Sequence, residues 1–172
     1  MTLQVDVGFG DAVRPVKLDY PMMLPSHEAS PKPLAYPMVS VVAEKVHAMV
    51  LLEMTNTRMK DFFDVWWLAT HHSFDGAALA LAVSATFERR DMPIPETTPI
   101  ALTSMFADDA MKQAQWKRFL VRSQSVGSPT LPETIDVIRA FVMPVLDAVR
   151  LDDSLRKTWR PDARVWLEPA RA

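Results

Sequence analysis

A run of aromatic and apolar side chains at helical spacing constrains the fold of this chain more than any other feature. Between residues 58 and 72 these side chains recur at positions i, i+3, i+4, i+7 and i+8: Met59, Phe62, Phe63, Trp66 and Trp67. This spacing predicts an amphipathic α-helix with one apolar face. Lys60, Asp61 and Asp64 are expected on the opposite, polar face. We interpret Trp66 and Trp67 as core residues rather than as a base-stacking platform.

Helices also dominate the rest of the chain after residue 38. They are predicted over residues 40–54, 75–90, 108–122 and 131–150. Asp75 is expected to cap the second of these, and Thr130 with Glu133 matches the capping-box pattern at the start of the last one. Pro144 is expected to kink that last helix. The helix over residues 40–54 is so apolar that we expect it to be buried on most sides.

The N-terminal segment predicts strands instead of helices. Residues 3–9 alternate apolar and polar side chains, which indicates a strand, and residues 13–18 can return as its partner. Prolines at 21, 25, 31, 33 and 37 predict a connector without regular structure. The tail from Lys157 is expected to be irregular, with Trp159 and Trp166 packing back on the body.

These predictions define the fold class as α+β and mainly α. A small sheet of two or three strands is expected to pack on a helical bundle. The expected divisions are residues 1–37 for the sheet and its connector, 38–152 for the helices and 153–172 for the tail.

Composition excludes several classes of function. The 172 residues include no cysteine, which excludes disulfides, cysteine-ligated zinc and thiol nucleophiles. A net charge of -2, with 49% apolar and 23% charged residues, is typical of globular proteins and indicates no particular partner. Because no secretory leader and no apolar run of about 20 residues is present, we expect a cytoplasmic chain that does not enter a membrane.

Charged residues that suit phosphate chemistry lie in three parts of the sequence: Asp6 in the first strand, Glu44 and Lys45 in the first helix, and Arg58, Lys60, Asp61 and Asp64 in the aromatic helix. Nucleotidyl transfer uses carboxylates to hold magnesium and cations to neutralise phosphates. However, Lys60 and Asp64 also have the i, i+4 spacing of an ordinary salt bridge, worth about 0.2–0.5 kcal/mol. Asp is disfavoured in strands, although an exposed edge position would explain Asp6 equally well.

A second group of cations lies in the helix over residues 108–122. Lys112, Lys117, Arg118 and Arg122 surround Trp116 and could contact RNA phosphates, while a solvated helix face is the commoner explanation of such a pattern.

Six ordered runs carry a resemblance to a known family. They are VDVGFGD (5–11), AYP (35–37), VAEKVHAM (42–49), RMKDFFDVW (58–66), ATFERR (85–90) and QWKRFL (115–120). In order and spacing they resemble the AbiEii/AbiGii toxin nucleotidyltransferases over roughly residues 3–122. The resemblance implies a nucleotidyltransferase-fold sheet followed by helices, nucleotide transfer from a nucleoside triphosphate with Mg²⁺ to an acceptor such as tRNA, and a cognate antitoxin as partner.

The resemblance also implies roles for individual residues. Asp6 matches the later strand carboxylate near the metals, and Lys45 matches a lysine that contacts the triphosphate. Asp64 matches the distal acid of the Lys-Asp-x-x-Asp run, a candidate base for the acceptor. Asp61 belongs to the same catalytic run, and Lys60 is expected to bind the nucleotide with Lys45. Arg58 and Glu44 are weaker matches, and Arg58 is expected to contact the nucleotide.

The chain departs from the family pattern at its start. The family's upstream Gly-Ser turn and Asp-x-Asp pair, which bind phosphate and metal, have no counterpart before Asp6. We therefore expect a truncated or split nucleotidyltransferase that needs an upstream fragment for activity and alone binds nucleotide weakly, with little dependence on magnesium. The alternative is a non-catalytic, protein- or RNA-binding helical module derived from this family.

Overall fold

α-Helices make up most of the chain that the structure describes. The structure is a computed structural model, and it describes residues 16–17, 34–125 and 129–168. Its α-helices are α1 (Met38–Leu52), α2 (Met59–His71), α3 (Gly76–Arg89), α4 (Ser104–Ala107), α5 (Ala110–Arg122) and α6 (Leu131–Arg150). Short 3-10 turns occupy Glu53–Thr55 and Ile100–Leu102.

Two small antiparallel sheets accompany the helices in the described part of the chain. β1 (Val16–Lys17) pairs with β2 (Leu34–Ala35), and β3 (Phe74–Asp75), β4 (Thr158–Arg160) and β5 (Val165–Leu167) form a second sheet in the order β3-β4-β5. The predicted α+β, mainly α class is thus confirmed. The strand predicted over residues 3–9 lies outside the described residues, and with it Asp6.

The core lies where α1, α2, α3 and α6 meet. α1 packs along α3, and α6 packs on both α2 and α3. Phe62 of α2 is fully buried, and its ring stacks on Phe106 with centroids 5.1 Å apart. The aromatic spacing of α2 therefore fixes one face of this helix in the core, as predicted.

Side-chain caps set two helix starts where the sequence predicts them. Asp75 accepts a hydrogen bond from the backbone N–H of Ala78 at 2.8 Å. Thr130 and Glu133 form the reciprocal capping box, and α6 then continues through Pro144. The helix predicted from residue 108 begins instead at Ala110, because Asp109 caps it.

The prediction of an irregular C-terminal tail is wrong. β4 and β5 form a hairpin in which Trp159 is opposite Trp166, and both rings pack near Phe141. The indole of Trp159 donates to the carbonyl of Ala69 at 2.6 Å. Apolar burial and these hydrogen bonds outweigh the lack of a long alternating pattern, which is the signal that sequence reasoning uses.

Gly76 allows the tail to approach α3 closely. Its N–H donates to the carbonyl of Lys157 at 2.8 Å, and a Cβ at this position would lie 2.5 Å from the carbonyl oxygen of Leu155. Only glycine leaves room for the backbone there.

The prediction that Trp66 and Trp67 are both core residues is also wrong in part. Trp66 is half-buried against the core, but Trp67 is 40% exposed and stacks on His71 with centroids 4.6 Å apart. A helical stripe as wide as this one has an outer edge, and Trp67 lies on it.

Candidate functional site

Lys45 on α1 joins two carboxylates of α2. Its Nζ lies 2.6 Å from Oδ1 of Asp61 and 2.8 Å from Oδ2 of Asp64. Asp61 and Asp64 are i, i+3 on α2, so both carboxylates face the same neighbouring helix. The structure therefore brings Lys45 of one predicted helix together with Asp61 and Asp64 of the next.

Asp61 corrects the prediction of a simple polar face. Its relative exposure is only 4%, whereas we expected it on the solvent side with Lys60. The reason is that α1 covers this edge of α2 and supplies the Lys45 ammonium as a counter-charge. A buried carboxylate needs such a partner, because an unpaired one would be strongly destabilising.

The pKa of Lys45 reflects two opposed effects. Burial lowers the pKa of its ammonium, but hydrogen bonds and charge interactions with Asp61 and Asp64 together outweigh that effect, so the pKa lies above its usual range. Lys45 is therefore charged at neutral pH. An ammonium has three N–H donors, and two carboxylates leave one for a further anionic ligand.

Arg58 and Lys60 extend this cluster toward solvent. Nε of Arg58 lies 2.7 Å from Oδ2 of Asp61, and Nζ of Lys60 lies 2.5 Å from Oδ2 of Asp64. Oδ2 of Asp61 is buried, yet among the described residues it accepts no well-aligned hydrogen bond. The 2.7 Å approach of Arg58 therefore stabilises this oxygen by charge rather than by a directed hydrogen bond.

A buried turn holds the start of α2 in place. Asn56 is fully buried, and its side-chain Oδ1 accepts from the backbone N–H of Arg58 at 2.9 Å. Its carbonyl accepts from Nζ of Lys112 on α5 at 2.8 Å. Through this turn α5 determines where Arg58 and Asp61 lie relative to α1.

A cleft of about 460 Å³ opens beside Lys45. Besides apolar residues of α1, the cleft is lined by Tyr36, Glu44, Lys45, His47, Arg58 and Arg90. Among the described residues, the lining has three cations, Lys45, Arg58 and Arg90, and one acid, Glu44, which pairs with Arg90 at 3.0 Å. A cationic, partly enclosed cleft of this kind is suited to an anionic ligand.

His47 and Arg90 were not among the predicted site residues. α3 packs along α1, which places Arg90 at the α3 C-terminus next to Glu44. Burial lowers the pKa of His47, and the nearby Arg90 charge lowers it further against the opposing effect of Glu44. Arg90 is the last residue of the ATFERR run, so the resemblance included it. Its place at the end of a predicted helix did not indicate that it faces α1.

The other predicted site residues are distributed as follows. Lys60 pairs with Asp64 but lies outside the residues that line the cleft. Asp6, the predicted metal ligand, lies outside the described residues. Within the described part of the chain, no group of three or more histidine, aspartate or glutamate side chains could hold a metal ion. The described residues alone therefore do not fit Mg²⁺, which needs several oxygen ligands.

Comparison with known proteins identifies the family. The family model described as "Nucleotidyl transferase AbiEii toxin, Type IV TA system" matches residues 1–142. The chain belongs to this family. Family membership makes this AbiEii chain a toxin of a type IV toxin-antitoxin system and implies a cognate antitoxin as its partner. No curated protein and no solved structure matches it.

Within the residues that the structure describes, no helix of this AbiEii chain is both long and apolar enough to cross a bilayer.

Proposed function

We propose that this AbiEii chain binds a nucleoside triphosphate in the Lys45 cleft and transfers a nucleotide to an RNA acceptor such as tRNA. The observation that carries the proposal is the convergence of Lys45, Asp61 and Asp64. The partly buried ammonium of Lys45 lies in a cleft that Arg58 and Arg90 also line. Preorganised cations of this kind stabilise the charge that develops on phosphate oxygens during transfer.

In the proposed reaction an acceptor hydroxyl oxygen forms a bond to the α-phosphorus of the nucleotide. The bond from that phosphorus to the oxygen bridging the β-phosphate breaks, and pyrophosphate leaves. The acceptor proton passes to a carboxylate, for which Asp64 is the candidate. Among the described residues, Lys45 and Lys60 both pair with Oδ2 of Asp64, which leaves Oδ1 to accept that proton.

Magnesium and a completing segment remain parts of the proposal. Mg²⁺ would be held by Asp6 together with carboxylates from a segment that carries the family's Gly-Ser turn and acidic pair. The described residues do not supply this ligand set, so no step of the proposed reaction is derived through the metal.

The experiment compares two carboxylate substitutions in cells and in vitro. In cells, Asp64→Asn should abolish the growth arrest that follows induction of the wild-type chain. In vitro, it should abolish the transfer of labelled nucleotide to RNA. Where the wild-type chain alone is inactive, both assays include the segment that carries the Gly-Ser turn and the acidic pair. Asp136→Asn on α6 is the matched control, because its exposed carboxylate pairs, among the described residues, with Arg139 one turn away at 2.6 Å. Full transfer by Asp64→Asn would contradict the catalytic assignment.

A non-catalytic role is the second candidate. It would explain the same ion pairs as a structural link between α1 and α2. Toxicity that survives both Asp64→Asn and substitution of Lys45, with no nucleotide transfer by any version, would favour a binding module over an enzyme.

A further inference from the structure

A second groove lies between the start of α2 and the last two turns of α5. Its volume is about 350 Å³, and its charged lining residues are Arg58, Lys60, Arg118 and Arg122. No acidic residue is among the described residues that line it. Arg58 and Lys60 pair with Asp61 and Asp64 outside the lining, so Arg118 and Arg122 give the groove its unbalanced positive charge, in a chain whose net charge is -2.

Arg118 and Arg122 have no ion-pair partner among the described residues. They are i, i+4 on α5, a spacing at which like charges destabilise a helix. Arg122 lies in the last turn, where a cation also interacts favourably with the helix dipole, but Arg118 lies one turn earlier. Arg118 is thus an exposed cation that neither an ion pair of the described residues nor the helix end balances, and its guanidinium is accessible to an anionic ligand.

The groove also offers contacts other than charge. Half-buried Phe119 lines it and belongs to an aromatic cluster with Phe63 and Trp116. Gln115 lines it too, and the Oε1 of its amide is buried without a hydrogen-bond partner among the described residues. Turning that amide toward a ligand would break no hydrogen bond to its oxygen. Aromatic faces, arginines and free amides are the side chains that contact unstacked bases, phosphates and sugars.

Arg58 connects this groove with the Lys45 cleft, because it lines both. A chain of phosphates in the groove would therefore lead toward the place where we propose that the nucleotide binds. We infer that the groove binds the sugar-phosphate backbone of a single-stranded RNA. The role of that RNA as acceptor rests on the proposed function, but its binding can be measured without any nucleotide.

The test is fluorescence anisotropy of the full chain with a labelled single-stranded RNA oligonucleotide at several salt concentrations. Arg118→Glu should weaken binding by about tenfold or more and should reduce the slope of log affinity against log salt by about one. Lys117→Glu is the matched control: it makes the same charge change on the next residue of α5, yet Lys117 lines a different cavity. It should change the affinity by less than about threefold, as expected for a long-range charge effect.

Three results would overturn the inference: no RNA binding by the wild-type chain at low salt, equal losses for Arg118→Glu and Lys117→Glu, or full affinity in Arg118→Glu. Polyglutamate and unlabelled RNA are each tested as competitors of the labelled RNA. Equal displacement by the two would also overturn the inference and would assign the groove to an acidic protein instead. ATP binding to Arg118→Glu is measured in parallel and should be unchanged. If Arg118→Glu lost RNA binding while variants of Lys45 still transferred nucleotide, the proposed catalytic cleft would be refuted but the RNA-binding groove would not.

Discussion

At the scale of single residues, Asp61 and Asp64 differ although they lie one turn apart on α2. The Asp61 side chain is 6% exposed and joins Lys45 to Arg58, whereas that of Asp64 is 24% exposed and joins two lysines. Removing either carboxylate leaves the ammonium of Lys45 one counter-charge. Asp61 is the more buried of the two, and its removal also takes away the carboxylate that pairs with Arg58.

We therefore expect Asp61→Ala to lower the free energy of unfolding by about 1–3 kcal/mol, because Asp64 still balances the charge of Lys45. Asp64→Ala should lower it by no more than about 1 kcal/mol. Urea unfolding of both variants measures the difference, with Phe62→Ala as a reference for loss of a fully buried ring, about 3–5 kcal/mol. Equal effects of the two aspartate substitutions would show that the cluster is less asymmetric than the structure indicates.

His47 provides a prediction about pH. Because its pKa is lowered in the folded state, the unfolded chain binds a proton more readily, and His47 stabilises the fold above its unfolded pKa of about 6.5. That stabilisation is lost as the pH falls from about 6.5 toward the lowered, folded pKa. The melting temperature of His47→Gln should therefore fall less than that of wild type between pH 7.5 and pH 5.5, on the order of a few degrees for one group of this kind.

The control for this prediction is His71→Gln, which changes an exposed histidine on α2. This variant measures the effect of replacing a histidine at a position outside the Lys45 cleft. Parallel curves for wild type and His47→Gln would contradict the assigned role of His47.

At the scale of elements, α5 positions the start of α2. Lys112 is 6% exposed, and its ammonium lies 5.1 Å from the centroid of Phe106 while donating to the Asn56 carbonyl. The cation over the ring and the hydrogen bond together keep this buried charge in place. α5 does not line the Lys45 cleft, yet through Lys112 it holds the turn that positions Arg58.

Lys112→Met should keep the packing of the aliphatic stem but leave the Asn56 carbonyl unpaired. We expect a loss of about 1–3 kcal/mol in the free energy of unfolding. Lys117→Met, on the exposed side of the same helix, should stay within about 0.5 kcal/mol of wild type. If chemical unfolding gave Lys112→Met the stability of wild type, the buried hydrogen bond would not hold the turn.

The positions of the helices could largely be predicted from the sequence. Whether a given helical residue faces the core or the solvent could not always be predicted. Spacing located α2 within one residue at each end, and Asp75 and Thr130 were identified as caps from local pattern alone. Periodicity within one helix does not report which neighbour covers its edge, so it misplaced Asp61 and Trp67. The Lys45 ion pairs and the Arg90 position depend on packing between helices distant in sequence.

At the scale of the whole molecule, the C-terminal hairpin closes the helical bundle. Trp159 is fully buried, and β4 pairs with β3, which immediately precedes α3. The family match ends at residue 142, so this hairpin lies beyond it. Short strands without long alternation carry little sequence signal, which explains why the hairpin was missed.

We expect Trp159→Ala to lower the free energy of unfolding by about 3–5 kcal/mol, because it leaves a large cavity and an unpaired Ala69 carbonyl. Val165→Ala in the same hairpin, at an exposed position, should have an effect below about 1 kcal/mol. Denaturant unfolding distinguishes the two. If the C-terminal tail did not contribute to the core, both substitutions would lower the free energy of unfolding by the same small amount.

The central claim is that the Lys45 cleft binds a nucleoside triphosphate. Its most direct test is calorimetric titration of ATP into wild type and into the double variant Lys45→Met with Asp61→Asn, which removes both charges of the buried pair together. Replacing both partners avoids an uncompensated buried charge, so the double variant should still melt cooperatively, within a few degrees of wild type. The wild-type chain should bind ATP weakly, in a salt-sensitive way and with little dependence on magnesium, and the double variant should show no detectable binding. Equal affinity of the two proteins for ATP would contradict the claim.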